Sequence, residues 1–149
     1  MHPSKTKHLN RILNPITKRT IIVPMDHGIS DGPIPGLIDM ASTIKAIQKG
    51  GANALVLHKG MYHHYRNVIC DMPVLVHVSA STSMGAPLRK VLVASAHEAL
   101  AMGAVGVSIH VNMGNPYEPD MLRDLGAISR ECNELGLPLL AMMYVRHQH

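Results

Sequence analysis

Short runs of apolar residues alternate along this chain with segments in which apolar residues recur every three or four positions. The first run, Ile21 to Val23, is typical of a strand in a parallel sheet that is covered on both faces. Later runs predict four more strands, at residues 54–57, 73–77, 105–109 and 138–143. Helical spacing predicts helices at residues 35–48, 95–102 and 120–135, and glycines follow each of them, as expected for helix ends.

Polar residues follow each predicted strand. These groups are Asp26-His27-Gly28, His58-Lys59-Gly60, His77 with the serines from Ser79 to Ser83, His110 with Asn112, and Tyr144-Val145-Arg146. The repeated order of strand, polar exit, helix and glycine predicts βαβ units and therefore an α/β fold with a parallel sheet.

The polar residues also favour one kind of parallel sheet. The loop after the first strand lacks the G-x-G-x-x-G spacing of a doubly wound sheet, whereas a (β/α)8 barrel places reactive side chains at the ends of several strands. Five strands cannot close such a barrel. The pattern therefore predicts strands one to five of a partial (β/α)8 TIM barrel, with residues 1–19 as an N-terminal lead-in and residues 20–149 as an incomplete barrel domain.

Composition narrows the classes of function. The formal net charge is +4, but no aromatic residue is interleaved with the basic cluster in residues 5–19, which predicts a solvated lead-in rather than a nucleic-acid surface. Cys70 and Cys132 form no CxxC pattern, so we expect free thiols and a cytoplasmic protein. The apolar runs are too short to span a bilayer, and the polar first ten residues do not resemble a signal peptide. We expect neither nucleic-acid nor membrane binding.

Five ordered motifs resemble the archaeal class I aldolase family. They are VPMDHGISDGP at 23–33, GGANALVLHKG at 50–60, HVSASTS at 77–83, VSIHVN at 107–112 and LAMMYVR at 140–146. The resemblance covers residues 20–146 and implies a barrel aldolase that uses no cofactor and no metal. It is strongest to members that act as aldolases or transaldolases on a keto-sugar phosphate and an aldehyde in aromatic amino acid biosynthesis. Members that cleave fructose bisphosphate are the alternative.

The resemblance also implies roles for residues at two strand ends. Asp26 matches the family's proton acceptor after strand one, and Tyr144 matches its proton donor after strand five. Contacts with the phosphorylated keto-sugar are implied for Asp26, His27, Gly28, Ile29, Ser30, Tyr144, Val145 and Arg146. The implied partners are this keto-sugar and an aldehyde substrate.

The family's third catalytic group is a lysine on strand six, which forms a Schiff base with the substrate carbonyl. The sequence ends before a sixth strand, so we expect a truncated chain that is inactive alone, because acid–base groups cannot replace the amine nucleophile. The strand pattern places Lys59 near the site, although a lysine at a strand end is more often an electrostatic or anchoring group. We expect a homo-oligomer or a complementing C-terminal fragment to cover the open sheet edges.

Two other classes of function stay open. Imidazoles of His27, His58, His77 and His110, together with Asp26, could bind a divalent metal in a hydrolase or a class II aldolase. Adjacent residues at a strand end face opposite ways, however, so these side chains need not converge. The chain could also be a non-catalytic barrel fragment.

Overall fold

A computed structural model describes residues 2–146 of the chain. Its strands are β1 (Ile22–Pro24), β2 (Ala54–His58), β3 (Val74–His77), β4 (Ser79–Ala80), β5 (Val91–Leu92), β6 (Gly106–Met113) and β7 (Leu139–Val145). Its helices are α1 (Pro3–Ile12), α2 (His27–Asp31), α3 (Met40–Lys49), α4 (Lys59–His64), α5 (Arg66–Ile69), α6 (Ala96–Ala101) and α7 (Glu118–Leu135). The five predicted strands are confirmed as β1, β2, β3, β6 and β7.

These five strands form one parallel sheet in the order β1-β2-β3-β6-β7. β4 and β5 form a separate antiparallel pair. The spatial order of the large sheet follows the order of the chain, as in a barrel, whereas the strand order of a doubly wound sheet reverses at a switch point. The fold is therefore a half-barrel of the α/β class, as the sequence predicts.

Helices cover the outer face of this sheet. Strand residues two apart share a face, and on this face they are aliphatic. The outer core contains Leu55, Leu57, Val74, Val76, Val107 and Ile109 from the strands and Ile44, Ile69, Ala99 and Ile128 from the helices. Burial of these side chains is the main force that fixes the strands and their carboxyl ends.

The inner face of the sheet is covered at one end by helix α1. This helix begins at Pro3, where the Nδ1 atom of His2 accepts a hydrogen bond from the backbone N–H of Ser4. Its last residue, Ile12, is only 4% exposed and packs against Ala54, Val56, Leu75 and Val105. Ile12 thus attaches the N-terminal residues to the sheet, whereas the basic side chains of Lys7, Arg11, Lys18 and Arg19 are exposed.

One predicted helix and one segment without a predicted helix differ from the observed structure. The predicted helix at 35–48 begins later, at Met40, because the Asp39 carboxyl group caps it by accepting a hydrogen bond from the Ser42 N–H, at 3.0 Å. Residues 61–70, which show no clear period, contribute to the short helices α4 and α5. No helix within residues 2–146 is both long and apolar enough to cross a bilayer.

Candidate active site

Polar side chains replace aliphatic ones on the inner face of the sheet, toward its carboxyl end. They belong to His58, His77, Ser108, His110, Asn112 and Tyr144. Each of these residues lies on the inner face because residues two apart along a strand share a face. The register places His58 beside His77 and His77 beside Ser108. Strands β6 and β7 run further than the sequence predicts, so His110, Asn112 and Tyr144 lie within them rather than after them.

One group of these side chains is buried around Asp26, which follows β1 and precedes α2. The Oδ2 atom of Asp26 lies 3.5 Å from the Nε2 atom of His77, and the Nδ1 atom of His77 lies 2.7 Å from the Ser108 hydroxyl. The His58 ring meets the His77 ring edge-on, with centroids 5.1 Å apart. Both histidines are more than nine-tenths buried. We call Asp26, His58, His77 and Ser108 the buried group.

Burial keeps the two imidazoles of this group neutral. Removal from water lowers the pKa of His77 to about 4, and the nearby Asp26 carboxyl group only partly opposes this shift. The same cause lowers the pKa of His58. A neutral imidazole donates at one nitrogen and accepts at the other, so His77 can bridge Ser108 and Asp26 without placing a positive charge against the carboxyl group. This arrangement places the Asp26 carboxyl group beside a neutral imidazole.

The second group lies at the edge of the sheet, around Tyr144 on β7. The rings of Tyr144 and His110 are 4.7 Å apart, and the Arg146 guanidinium lies 5.3 Å from the centroid of the Tyr144 ring. His110 is held by its Nε2 contact with Asn112 Oδ1, at 2.8 Å. Tyr144 is 43% exposed, and its hydroxyl has no hydrogen-bond partner among the described residues. We call Tyr144, Arg146, His110 and Asn112 the edge group.

The two groups share one polar cavity of about 260 Å3. Of the residues predicted for the site, the cavity wall includes Asp26, His27, Ser30, Tyr144 and Arg146. The proposed proton acceptor and proton donor, which are more than a hundred residues apart in the sequence, therefore face the same space.

The other predicted contact residues lie elsewhere. Gly28 and Ile29 line a neighbouring, more apolar cavity of about 350 Å3, which also touches Asp26 and His58. Val145 is 73% exposed, because alternation along β7 turns it to the face opposite Tyr144.

A lysine that the sequence pattern does not single out also lines the polar cavity. Lys90 lies just before β5, and its Nζ atom is 2.7 Å from the Ser81 hydroxyl and 3.4 Å from the Ser30 hydroxyl. Partial burial lowers the pKa of Lys90, and the carboxyl groups of Asp26 and Asp31 oppose that shift. Lys59, which the sequence places near the site, is instead paired with Glu98 at 2.7 Å.

The buried group also offers ligands for a metal ion. One ligand atom each from Asp26, His58 and His77 lies within 4.8 Å of the others. The buried Nδ1 atom of His58 has no hydrogen-bond partner, which suits a nitrogen that could coordinate a cation. His27 and His110, the other histidines considered as ligands, do not belong to this cluster within residues 2–146.

Comparison with known proteins gives one matching family and several relatives. A model of the DeoC/LacD family aldolases matches residues 20–149. The 2-amino-3,7-dideoxy-D-threo-hept-6-ulosonate synthase of Halobacterium salinarum is 36% identical over 143 residues, covering 95% of this chain and 53% of that protein. Synthase 1 of the same name from Archaeoglobus fulgidus is 38% identical over 146 residues, covering 95% of this chain and 54% of that protein.

A third relative has a different name. The 2-amino-4,5-dihydroxy-6-oxo-7-(phosphonooxy)heptanoate synthase of Streptomyces griseus is 36% identical, with 96% of this chain and 53% of that protein covered. The chain thus spans about half the length of the curated relatives it matches.

Solved structures agree with the half-barrel. The crystal structure of an archaeal fructose 1,6-bisphosphate aldolase superposes with a TM-score of 0.82 at 24% identity, covering 96% of this chain and 58% of that one. An archaeal fructose-1,6-bisphosphate aldolase with its catalytic lysine bound to a carbinolamine intermediate gives a TM-score of 0.81 at 24% identity, with the same coverage. At these identities the likeness establishes the fold, and it confirms the prediction of a partial barrel.

Proposed function

Since this chain belongs to the DeoC/LacD family of aldolases, we propose that it carries the acid–base half of a class I aldolase or transaldolase site. Asp26 is the proton acceptor and Tyr144 is the proton donor. The observation that carries this proposal is their placement on the wall of one cavity, at the carboxyl end of a parallel half-barrel. Reactive side chains of barrel enzymes lie at that end.

The proposed reaction transfers a three-carbon unit from 1-deoxy-D-threo-hexo-2,5-diulose 6-phosphate to L-aspartate 4-semialdehyde. Two archaeal synthases support this choice, at 36% and 38% identity, because the product in their name joins a 2-amino-carboxylate end to a 6-keto end. Addition of a keto fragment to an amino-acid aldehyde gives such a product. Fructose 1,6-bisphosphate is the alternative substrate. The only support for it is the likeness of fold to a fructose 1,6-bisphosphate aldolase.

The proposed pathway is aromatic amino acid biosynthesis in the cytoplasm. The pathway is inferred from the same two relatives. The compartment is inferred from the thiols, since Cys70 is exposed and unpaired and Cys132 is buried and unpaired, as is usual for proteins in a reducing environment.

Asp26 and Tyr144 perform the proton transfers. In class I chemistry a lysine amine condenses with the keto group, and the iminium accepts the electron pair of the carbon–carbon bond that breaks. Asp26 takes the proton of the hydroxyl group next to that bond as the first aldehyde departs. When the resulting enamine attacks the second aldehyde, Tyr144 gives a proton to the new alkoxide. The proton held by Asp26 then restores the phenol.

The amine itself is not expected among these residues. The family's lysine belongs to a sixth strand, beyond the five described strands of the parallel sheet. Lys59 is paired with Glu98 and is not among the residues that line the polar cavity. We therefore propose that residues 1–149 alone have no aldolase activity. Borohydride should trap no adduct between this chain and the keto-sugar phosphate.

A chimera tests the acid–base assignment. Residues 1–146 would be joined to the second half of the Archaeoglobus fulgidus synthase, which is 38% identical over the shared region. Tyr144→Phe should still give a borohydride-trapped adduct but should lower turnover about 100-fold, as expected when a positioned proton donor is removed. Tyr117→Phe is the matched control, because Tyr117 lies outside the polar cavity, beside Arg89. Full activity of Tyr144→Phe would contradict the role of Tyr144, and an inactive, folded chimera would favour a non-catalytic fragment.

The open edges of the sheet imply a protein partner. Within residues 2–146, β1 and β7 each pair on one side only, and Ile22, Leu140 and Met142 line an open apolar groove of about 310 Å3 between them. We propose that a second copy or a complementing fragment covers this groove, since unpaired parallel edges favour association. Sizing chromatography should show oligomers or a heteromer, and a stable monomer at micromolar concentration would contradict this.

A metal-dependent reaction is the second candidate function. It is favoured by the cluster of Asp26, His58 and His77, whose neutral imidazoles are in the state that coordinates zinc. Metal analysis and activity assays of the chimera with and without chelator separate the two candidates. Stoichiometric zinc that turnover requires would overturn the Schiff-base assignment, whereas unchanged turnover after chelation would exclude the metal route.

A further inference from the structure

The hairpin of β4 and β5 brings Lys90 to the polar cavity. Ser79 pairs with Leu92 and Ala80 with Val91 in this antiparallel ladder. The Val93 N–H also donates to the Val78 carbonyl oxygen, at 2.8 Å. The chain after β4 therefore loops back, and β5 returns it to the end of β3. Backbone hydrogen bonds thus fix the position of Lys90, which lies just before β5, relative to the sheet.

The charge of Lys90 is not matched by a close carboxylate. Its ammonium group has three donors, and two of them are directed to the hydroxyls of Ser81 and Ser30. No carboxylate oxygen in the described part of the chain lies within 4.0 Å of Nζ. Lys59 differs, because its ammonium group is paired with Glu98. Lys90 thus has a donor and a positive charge left for a ligand in the cavity.

A second cation faces the same space. Arg146 lines the cavity together with Lys90, and its charge adds to the burial that lowers the pKa of Lys90. Two cations that repel one another across a cavity are both stabilised when an anion lies between them.

We propose that Lys90, with Arg146, holds the oxyanion of whichever aldehyde occupies the site. This inference rests on the proposed function, in which two aldehydes alternate. The aldehyde that departs from the keto-sugar carries a phosphate group, and L-aspartate semialdehyde carries a carboxylate three carbons from its aldehyde carbon. Both react with the same enamine carbon, so their anionic ends reach the same region. One subsite for an oxyanion serves both aldehydes.

The subsite also explains how the site can exchange one aldehyde for another. Lysine acts as a compact point charge with rotatable donors and imposes no planar geometry. It can therefore accept a tetrahedral phosphate in one half of the reaction and a planar carboxylate in the other. Loss of one hydrogen bond to a charged partner should weaken binding about tenfold or more.

Binding of small anions to the 149-residue chain tests this subsite. The probes are inorganic phosphate and L-2-aminobutyrate, which retains the amino-carboxylate end without the aldehyde, and the control that lacks the carboxylate is L-2-aminobutyramide. Lys90→Met should weaken both anions about tenfold in an NMR titration, whereas Lys59→Met, the matched control at a paired lysine, should change them less than twofold. Unchanged affinity of Lys90→Met for either anion would overturn the shared subsite, and the unaffected probe would show which aldehyde uses other residues.

A second measurement needs no variant. Mass spectrometry can follow the acetylation rate of each lysine in the native chain, whatever its oligomeric state. Phosphate and L-2-aminobutyrate should slow acetylation at Lys90 but not at Lys59, and equal protection of the two would overturn the proposal. Neither measurement needs turnover or a Schiff base, so failure of the acid–base assignment and failure of the oxyanion subsite are distinguishable.

Discussion

The buried group and the edge group stand at the same end of the sheet but differ in what surrounds them. His77 lies on β3, which pairs with β2 on one side and β6 on the other, and it is 2% exposed. Tyr144 lies on β7, which within residues 2–146 pairs only with β6, and it is 43% exposed. The position of a strand in the sheet thus decides how firmly its polar residue is held.

The difference shows which part of the site this chain builds by itself. Asp26 lies beside contacts that are complete within the half-barrel, because His77 Nδ1 is 2.7 Å from the Ser108 hydroxyl and His77 Nε2 is 3.5 Å from both the Ser79 hydroxyl and Asp26 Oδ2. Tyr144 has stacking contacts on its ring but no hydrogen bond on its hydroxyl among the described residues. We infer that Asp26, the proposed proton acceptor, is preorganised, and that Tyr144, the proposed proton donor, is positioned fully only when another segment covers β7.

The largest expected effect comes from breaking the buried group. His77→Ala should lower the free energy of unfolding by about 3 kcal/mol, because it creates a cavity and leaves the Ser108 hydroxyl without its partner. Urea unfolding of the 149-residue chain measures this. The matched control is His63→Ala at an exposed position, which should change stability by less than about 0.5 kcal/mol. Equal effects of the two substitutions would contradict the idea that His77 holds the group together.

The buried group was only partly predictable from the sequence. The apolar runs predict the strands because a parallel strand needs aliphatic residues on both faces. They also place His58 and His77 at strand ends. That both rings share a face depends on the register of β2 against β3, which the sequence pattern does not specify, because slipping one strand by a single residue reverses its faces.

Lys90 and helix α1 had weaker signals in the sequence than the buried group. Lys90 was missed because β4 and β5 have only two residues each, too few to show a period. Helix α1 was missed because most of its residues are polar, and a single buried side chain, Ile12, attaches it to the inner face. In both cases tertiary contacts, rather than local pattern, decide the structure.

A smaller effect should appear when the buried group is titrated. The pKa of His77 is about 4 in the folded chain and near 6.5 when unfolded, so the unfolded chain binds more protons between these values. The folded state should therefore lose stability as the pH falls from about 6.5 to 4, by up to about 1.4 kcal/mol per pH unit. Burial of His58 acts in the same direction.

Urea unfolding at several pH values measures this slope. His77→Gln should flatten it, because glutamine keeps a polar side chain but does not titrate, and His63→Gln, at an exposed position, is the matched control. A slope in His77→Gln as steep as that of the parent chain would assign the pH dependence to other groups.

The smallest expected effect is on the edge group. Tyr144→Phe keeps the ring that contacts His110 and Arg146 and removes only a hydroxyl that is unbonded within the described residues. Its free energy of unfolding should therefore stay within about 0.5 kcal/mol of the parent chain, as urea unfolding can measure. The same substitution should lower turnover of the chimera about 100-fold.

A stability loss above about 1 kcal/mol would mean that the Tyr144 hydroxyl supports the edge of the sheet, and the lower turnover would then reflect a displaced strand. Small stability loss with large kinetic loss is the result that assigns the Tyr144 hydroxyl to proton transfer.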